Sequence, residues 1–198
     1  MTIDRAKLPT VTLVRHGETE WSRDGRHTGR TDIPLTEAGR EAARILKTRL
    51  SPGPYALVLT SPSSRAQETA RLAGFGDALT VDPDLAEWDY GAFEGRTTND
   101  IRAEWPDWQI FRDGCPGGET AAEVGVRADR VIARLRAVDA PCLIFSSAHL
   151  LRTLGARWID LAPEGGALLA LDTASISALG YDHDRSEPLI RRWNLTFG

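Results

Sequence analysis

The chain has 198 residues, 41% of them hydrophobic and 26% charged, with 28 acidic against 24 basic side chains and a formal net charge of −4. That composition suits a single globular domain over 1–198, long enough to bury a substantial core. Its dispersed charge, with no basic tail or stripe, excludes a nucleic-acid surface and leaves small molecules as the expected partners.

In chain order, residues 1–10 (MTIDRAKLPT) are polar and lack the apolar run of a signal peptide. Residues 11–14 form a short apolar run that reads as a buried strand, as do 56–59 and 142–145. Between the first two, Leu35, Ala38, Ala42, Ile45, Leu46 and Leu50 recur at helical spacing behind Thr36, a suitable N-cap. Ser61-Pro62 reads as an N-cap followed by proline at the first helical position, opening a helix to about Leu72. Thr120 and Glu123 make a capping-box pattern ahead of an amphipathic run through Val138, and 148–161 reads as helix. The stretch 174–193 adds one or two strands at an edge. No segment approaches the roughly 20 apolar residues of a membrane helix, so a cytoplasmic protein without membrane contact is expected. Cys115 and Cys142 make neither a disulfide framework nor a metal pattern, which fits a reducing compartment.

Strands alternating with helices predict an α/β fold, a three-layer α/β/α sandwich around a mostly parallel sheet. Polar clusters fall at the carboxyl ends of its strands: Arg15-His16-Gly17-Glu18, then 61–65, then 147–152. Ligands bind at that edge of an open α/β sheet, and helix N-termini there offer free N–H groups to an anion. A phosphate or carboxylate site follows.

The ordered blocks LVRHGETEW, HTGRTDIPLTEAG, TSPSSRAQETA and LAEWDYGAFEG resemble the histidine phosphatase superfamily, which includes the phosphoglycerate mutases, over roughly residues 11 to 182. LAEWDYGAFEG followed by DGCPGGET is more similar to an acid-phosphatase and sugar-bisphosphatase branch than to the mutases. The resemblance implies a phosphoglycerate mutase-like fold and a phosphohistidine mechanism with His16 as nucleophile.

The residue types suit that chemistry. Arginine meets phosphoryl oxygens with a fixed fork of donors, which fits Arg15 and Arg65, and neutral imidazole can accept a phosphoryl group. Gly17 is expected to let the substrate approach the backbone and Glu18 to orient the pocket. By resemblance, Glu87 protonates the leaving group; a dianionic phosphate nearby raises a carboxyl pKa, Trp88 and Tyr90 add desolvation, and activity is expected to favour mildly acidic pH. Also by resemblance, Ser22, Thr28 and Gly29 line the substrate phosphate or its neighbour, with Arg96 a looser candidate. His27 and His183 read as surface histidines, and Trp105 with Trp108 as packing of a short helix. Four histidines scattered along the chain suggest no metal site, and no cofactor is implied.

One departure is serious. Relatives carry a second histidine followed by glycine after the third strand; here FSSAHLLR puts Ser147 and Ala148 in those positions. Ser147 can bond a phosphate oxygen but carries no positive charge, and His149 is either a partial substitute, a contact for the far end of the substrate, or a helix-cap histidine. Three readings stay open. They are a metal-independent phosphomonoesterase of a small phosphate ester such as a sugar phosphate or bisphosphate, a catalytically impaired phosphate-binding homologue, and a mutase, which the short segment after Glu87 disfavours. The sequence leaves the oligomeric state open, with a homodimer as one outcome.

Overall fold

The computed structural model describes residues 8–197. Most of the polar N-terminal stretch, residues 1–7, lies outside the described residues.

The three apolar runs become the strands β1 (Val11–Arg15), β2 (Leu57–Thr60) and β4 (Cys142–Ser146), and a short edge strand that the sequence did not predict, β3 (Leu79–Val81), joins β2. They pair in parallel, with Arg15 opposite Ser146 and Thr60 opposite Phe145. Every residue of β4 is buried, the expected condition of a strand covered on both faces. The tail folds as β5 (Ile176–Tyr181), antiparallel to β1, and β6 (Pro188–Leu195), antiparallel to β5, giving a six-stranded sheet in the order β3-β2-β4-β1-β5-β6.

Helices cover both faces. After the short α1 (Glu20–Arg23), α2 (Glu37–Arg49) and α3 (Ser64–Leu72) lie over one apolar cluster that contains Val14, Leu46, Ala70, Leu143 and Phe145. After α4 (Thr98–Glu104) and α5 (Ile110–Asp113), α6 (Ala121–Arg136) and α7 (Ala148–Trp158) close a second cluster around Leu13, Ile144, Val131, Leu151 and Trp158. Leu150, Leu151, Leu154 and Trp158 of α7 are essentially inaccessible, and each such side chain stabilises by about 1.5–3 kcal/mol.

The caps at Thr36 and Thr120 form as the sequence predicts: Thr36 accepts from Gly39 N–H, and Thr120 with Glu123 makes a reciprocal capping box. The start of α3 differs. Its N-cap is Ser63, not Ser61, and the N–H of Ser64 is taken by Asp32 Oδ1 at 3.0 Å. A carboxylate supplied from another loop displaces the local Ser-Pro signal. α7 ends at Trp158, three residues short of the predicted 161. No helix among the described residues is long and apolar enough to cross a membrane. Cys115 and Cys142 are both buried and unpaired.

Candidate active site

Because β1, β2 and β4 run parallel, the residues that follow them converge at one edge of the sheet. A cavity of about 240 Å³ opens there, lined by Arg15, His16, Ser22, Gly25, Arg26, His27, Thr28, Glu87, Tyr90, Thr98, Ala148, His149, Arg152 and Leu171.

His16 is 4% exposed. Its Nδ1 donates to the Gly17 carbonyl at 2.7 Å, since a carbonyl only accepts. That bond fixes the tautomer and leaves the lone pair on Nε2. Burial, and then the guanidinium charges of Arg65 and Arg15, hold the imidazole well below its usual pKa, so the ring is neutral. The close approach at Gly17 is to protein rather than to substrate: a Cβ there would lie 2.4 Å from the Gly39 carbonyl oxygen of α2. Glu18 joins the same seam, accepting from the Thr36 hydroxyl at 2.7 Å.

The two arginines differ in placement. Arg15 borders the cavity, and its Nη1 donates to Leu171 O at 2.5 Å. Arg65 is fully buried beside it and donates to the carbonyls of Thr28, Gly29 and Thr31. The Nε of each is buried without a partner.

Glu87 is held by backbone rather than by rings. Oε1 accepts from the N–H groups of Trp88 and Leu150, both at 2.9 Å, and Oε2 accepts from His149 N–H at 3.0 Å. It therefore caps the first turn of α7, whose own N-cap, Ser147, makes no side-chain capping bond. Trp88 meets Glu87 through its N–H; its indole donates to Glu119 O. Glu87 also borders a second cavity of about 550 Å³ with Ser61, Ser63, Asp89 and Arg127.

Ser22 and Thr28 border the first cavity, although Ser22 belongs to the capping box of α1 and Thr28 donates to Arg26 O. Gly29 faces the second cavity instead; its N–H donates to Glu94, and a Cβ there would lie 2.5 Å from Trp88 O. Arg96 is drawn away by Glu104 at 2.7 Å. Ala148 borders the cavity, whereas Ser147 is not among its lining residues and has a buried, unpartnered hydroxyl.

His27 is not a surface residue, contrary to expectation. It is 9% exposed, with ring centroids 4.8 Å from Tyr90, 5.4 Å from Trp108 and 6.0 Å from His149. Nothing in its own Gly-rich segment signals burial, because the enclosing rings come from later in the chain. Burial lowers its pKa to about 4. Arg152 is a further charged pocket residue with no role predicted from sequence; its three-residue spacing from His149 puts both on one helix face. His183 is exposed on the β5–β6 hairpin, with its ligand atoms and those of Asp182 and Glu187 within 4.8 Å of one another, at the opposite edge of the sheet from His16. Trp108 is buried as expected, but Trp105 is 42% exposed.

Residues 11–196 match the histidine phosphatase superfamily (branch 1). An acid phosphatase of Mycobacterium tuberculosis is 42% identical over 178 residues, 86% of each chain. The sedoheptulose 1,7-bisphosphatase of Saccharomyces cerevisiae is 36% identical over 77% of this chain and 68% of its own. The solved structure of an open reading frame product of M. tuberculosis superposes with a TM-score of 0.87 at 39% identity, covering 95% of this chain and 98% of that one.

Proposed function

The chain belongs to the histidine phosphatase superfamily (branch 1), and from that membership we propose that it is a metal-independent phosphomonoesterase that hydrolyses a small phosphate ester through a phosphohistidine on His16. The observation that carries the reading is the bond from His16 Nδ1 to Gly17 O, which leaves a neutral Nε2 lone pair beside Arg15 in the cavity.

His16 Nε2 attacks phosphorus, the bond to the ester oxygen breaks, and Glu87 gives its proton to the leaving alkoxide. A carboxylate oxygen accepts about two hydrogen bonds. Oε1 already has two and Oε2 one, so Oε2 is the oxygen with a lone pair free for the transferred proton. Water then displaces the phosphoryl group from Nε2, returning a proton to Glu87 and releasing phosphate. Arg15 and Arg65, each with an unpaired buried Nε, offset the charge on the phosphoryl oxygens. Ser22, Thr28 and Ala148 form the wall, and the bisphosphatase and acid phosphatase relatives favour a sugar phosphate or bisphosphate as substrate.

Steady-state hydrolysis of p-nitrophenyl phosphate and a panel of sugar phosphates, without added metal, tests this. Wild-type turnover that disappears in His16→Ala is the expected result. One observation favours a second reading, that of an impaired phosphate-binding homologue: the Ser147 hydroxyl has no partner at the position where the family resemblance implies a histidine. Absence of wild-type turnover, with activity appearing in Ser147→His, supports that reading instead.

A further inference from the structure

Loss of the second histidine removes a hydrogen-bond donor from the phosphoryl site, and the structure contains another imidazole in the same cavity. His149 borders it together with Arg15, His16 and Ala148. Its Nδ1 lies 2.6 Å from the Tyr90 hydroxyl, and no group among the described residues bonds its Nε2. The ring is walled by Trp88, Phe111, Tyr90 and His27, with centroids 5.4–6.2 Å away, so its orientation is set by packing.

The tautomer follows from satisfying both groups. If Nδ1–H donated to the phenol oxygen, the Tyr90 proton would have no protein acceptor. If Tyr90 O–H donates to Nδ1, both are satisfied and the ring proton resides on Nε2. We infer that His149 Nε2–H donates to the transferring phosphoryl group in place of the absent histidine, and that Tyr90 positions it by holding the ring in the donating tautomer. The inference rests on the phosphatase reading.

The donor is uncharged. Burial first, then the charge of Arg152, keeps His149 well below its usual pKa, so positive charge comes from Arg15, Arg65 and Arg152 while His149 contributes direction. Arg152 leaves it room: its Nε and Nη2 are turned to the carbonyls of Gly166 and Ala167 and its guanidinium stacks 4.7 Å over Phe111. The backbone N–H of His149 is meanwhile the group that bonds Glu87 Oε2. One residue thus links the leaving-group acid to the phosphoryl donor.

The test is a mutant cycle on the full chain, combining turnover with affinity for vanadate, a mimic of the transferring phosphoryl group, and for inorganic phosphate. His149→Ala is expected to lower kcat and vanadate affinity by about 10²-fold, the scale for one preorganised donor, with KM and phosphate affinity little changed; His149→Gln, which keeps an N–H donor, recovers part of the loss. Ser147→His is expected to restore kcat in His149→Ala and to add little when His149 is present, a non-additivity that marks two residues doing one job. Equal gains from Ser147→His in both backgrounds, or unchanged vanadate affinity in His149→Ala, overturn the inference. Ring ¹⁵N shifts give a readout independent of turnover and of how His149→Ala folds. Nε2–H is expected in wild type and a mixture in Tyr90→Phe; Nδ1–H in wild type also overturns it. A wild type without turnover counts against the phosphatase reading, and the tautomer and vanadate results then decide this inference separately.

Discussion

Three imidazoles, His16, His27 and His149, share one cavity, and burial is the leading cause that depresses the pKa of each. For His27 the value falls from 6.5 to about 4. Above pH 6.5 neither the folded nor the unfolded chain protonates it, so it contributes no pH dependence. Between 6.5 and about 4 the unfolded chain binds a proton that the folded chain refuses, and stability falls with pH. At about 1.4 kcal/mol per pH unit, the loss across that window is on the order of 3 kcal/mol from His27, with His16 and His149 adding in the same direction. Urea unfolding between pH 7 and 4 is expected to show this slope, reduced in His27→Gln; a slope identical in both proteins sinks the assignment. The neutral state that destabilises the fold in acid is also what leaves His16 a free lone pair. His16 was legible because its neighbours in sequence carry the motif. His27 was not, because its burial is created by Tyr90, Trp108 and His149, far along the chain.

At the scale of elements, α7 is the clearest case of shared duty. Its N-terminal N–H groups find their acceptor in Glu87, more than sixty residues earlier, because Ser147 provides no side-chain cap. Two consequences separate in Glu87→Gln. The amide keeps one acceptor oxygen but turns an NH₂ toward a backbone N–H, so stability is expected to drop by about 1 kcal/mol, the scale of a lost cap. Loss of the acid is expected to lower kcat by about 10²–10⁴ for a sugar phosphate, whose alkoxide must be protonated, and by much less for p-nitrophenyl phosphate, whose phenolate leaves without help. Equal losses on both substrates would remove Glu87 from the acid role. The caps at Thr36 and Thr120 could be read from sequence because donor and acceptor lie three residues apart. The start of α3 and the capping of α7 could not, since Asp32 and Glu87 reach them only after the sheet has formed. The three inner strands β1, β2 and β4 were legible from their apolar runs, with errors of a residue or so at their ends, whereas the half-exposed edge strand β3 carries no such run and was missed.

Across the whole molecule, two apolar clusters on opposite faces of the sheet hold a ligand edge that is poorly satisfied when empty. Arg65 is buried and Arg15 half-buried, desolvation lowers the pKa of both, and each keeps a buried, unpartnered Nε. Buried polar groups without partners cost free energy that a bound anion removes. The folded chain should therefore bind phosphate or vanadate far better than the unfolded chain, where no such convergence of donors exists. At a ligand concentration 100 times Kd, the stabilisation is about 2.7 kcal/mol. For a chain of 150–250 residues that corresponds to a rise in Tm of roughly 5–11 °C, at about 2–4 °C per kcal/mol. Arg15→Met removes one half-buried, desolvated charge while filling its volume with apolar atoms, so its ligand-free Tm is expected to change little, and the rise on adding phosphate or vanadate is expected to shrink. Thermal scans of both proteins with and without ligand check this. An undiminished rise in Arg15→Met, with the ligand-free Tm unchanged, would remove Arg15 from anion binding. A lower ligand-free Tm with the same rise would make Arg15 a strut tying the end of β1 to Leu171, through its bond to that carbonyl, and leave Arg65 as the principal phosphate contact.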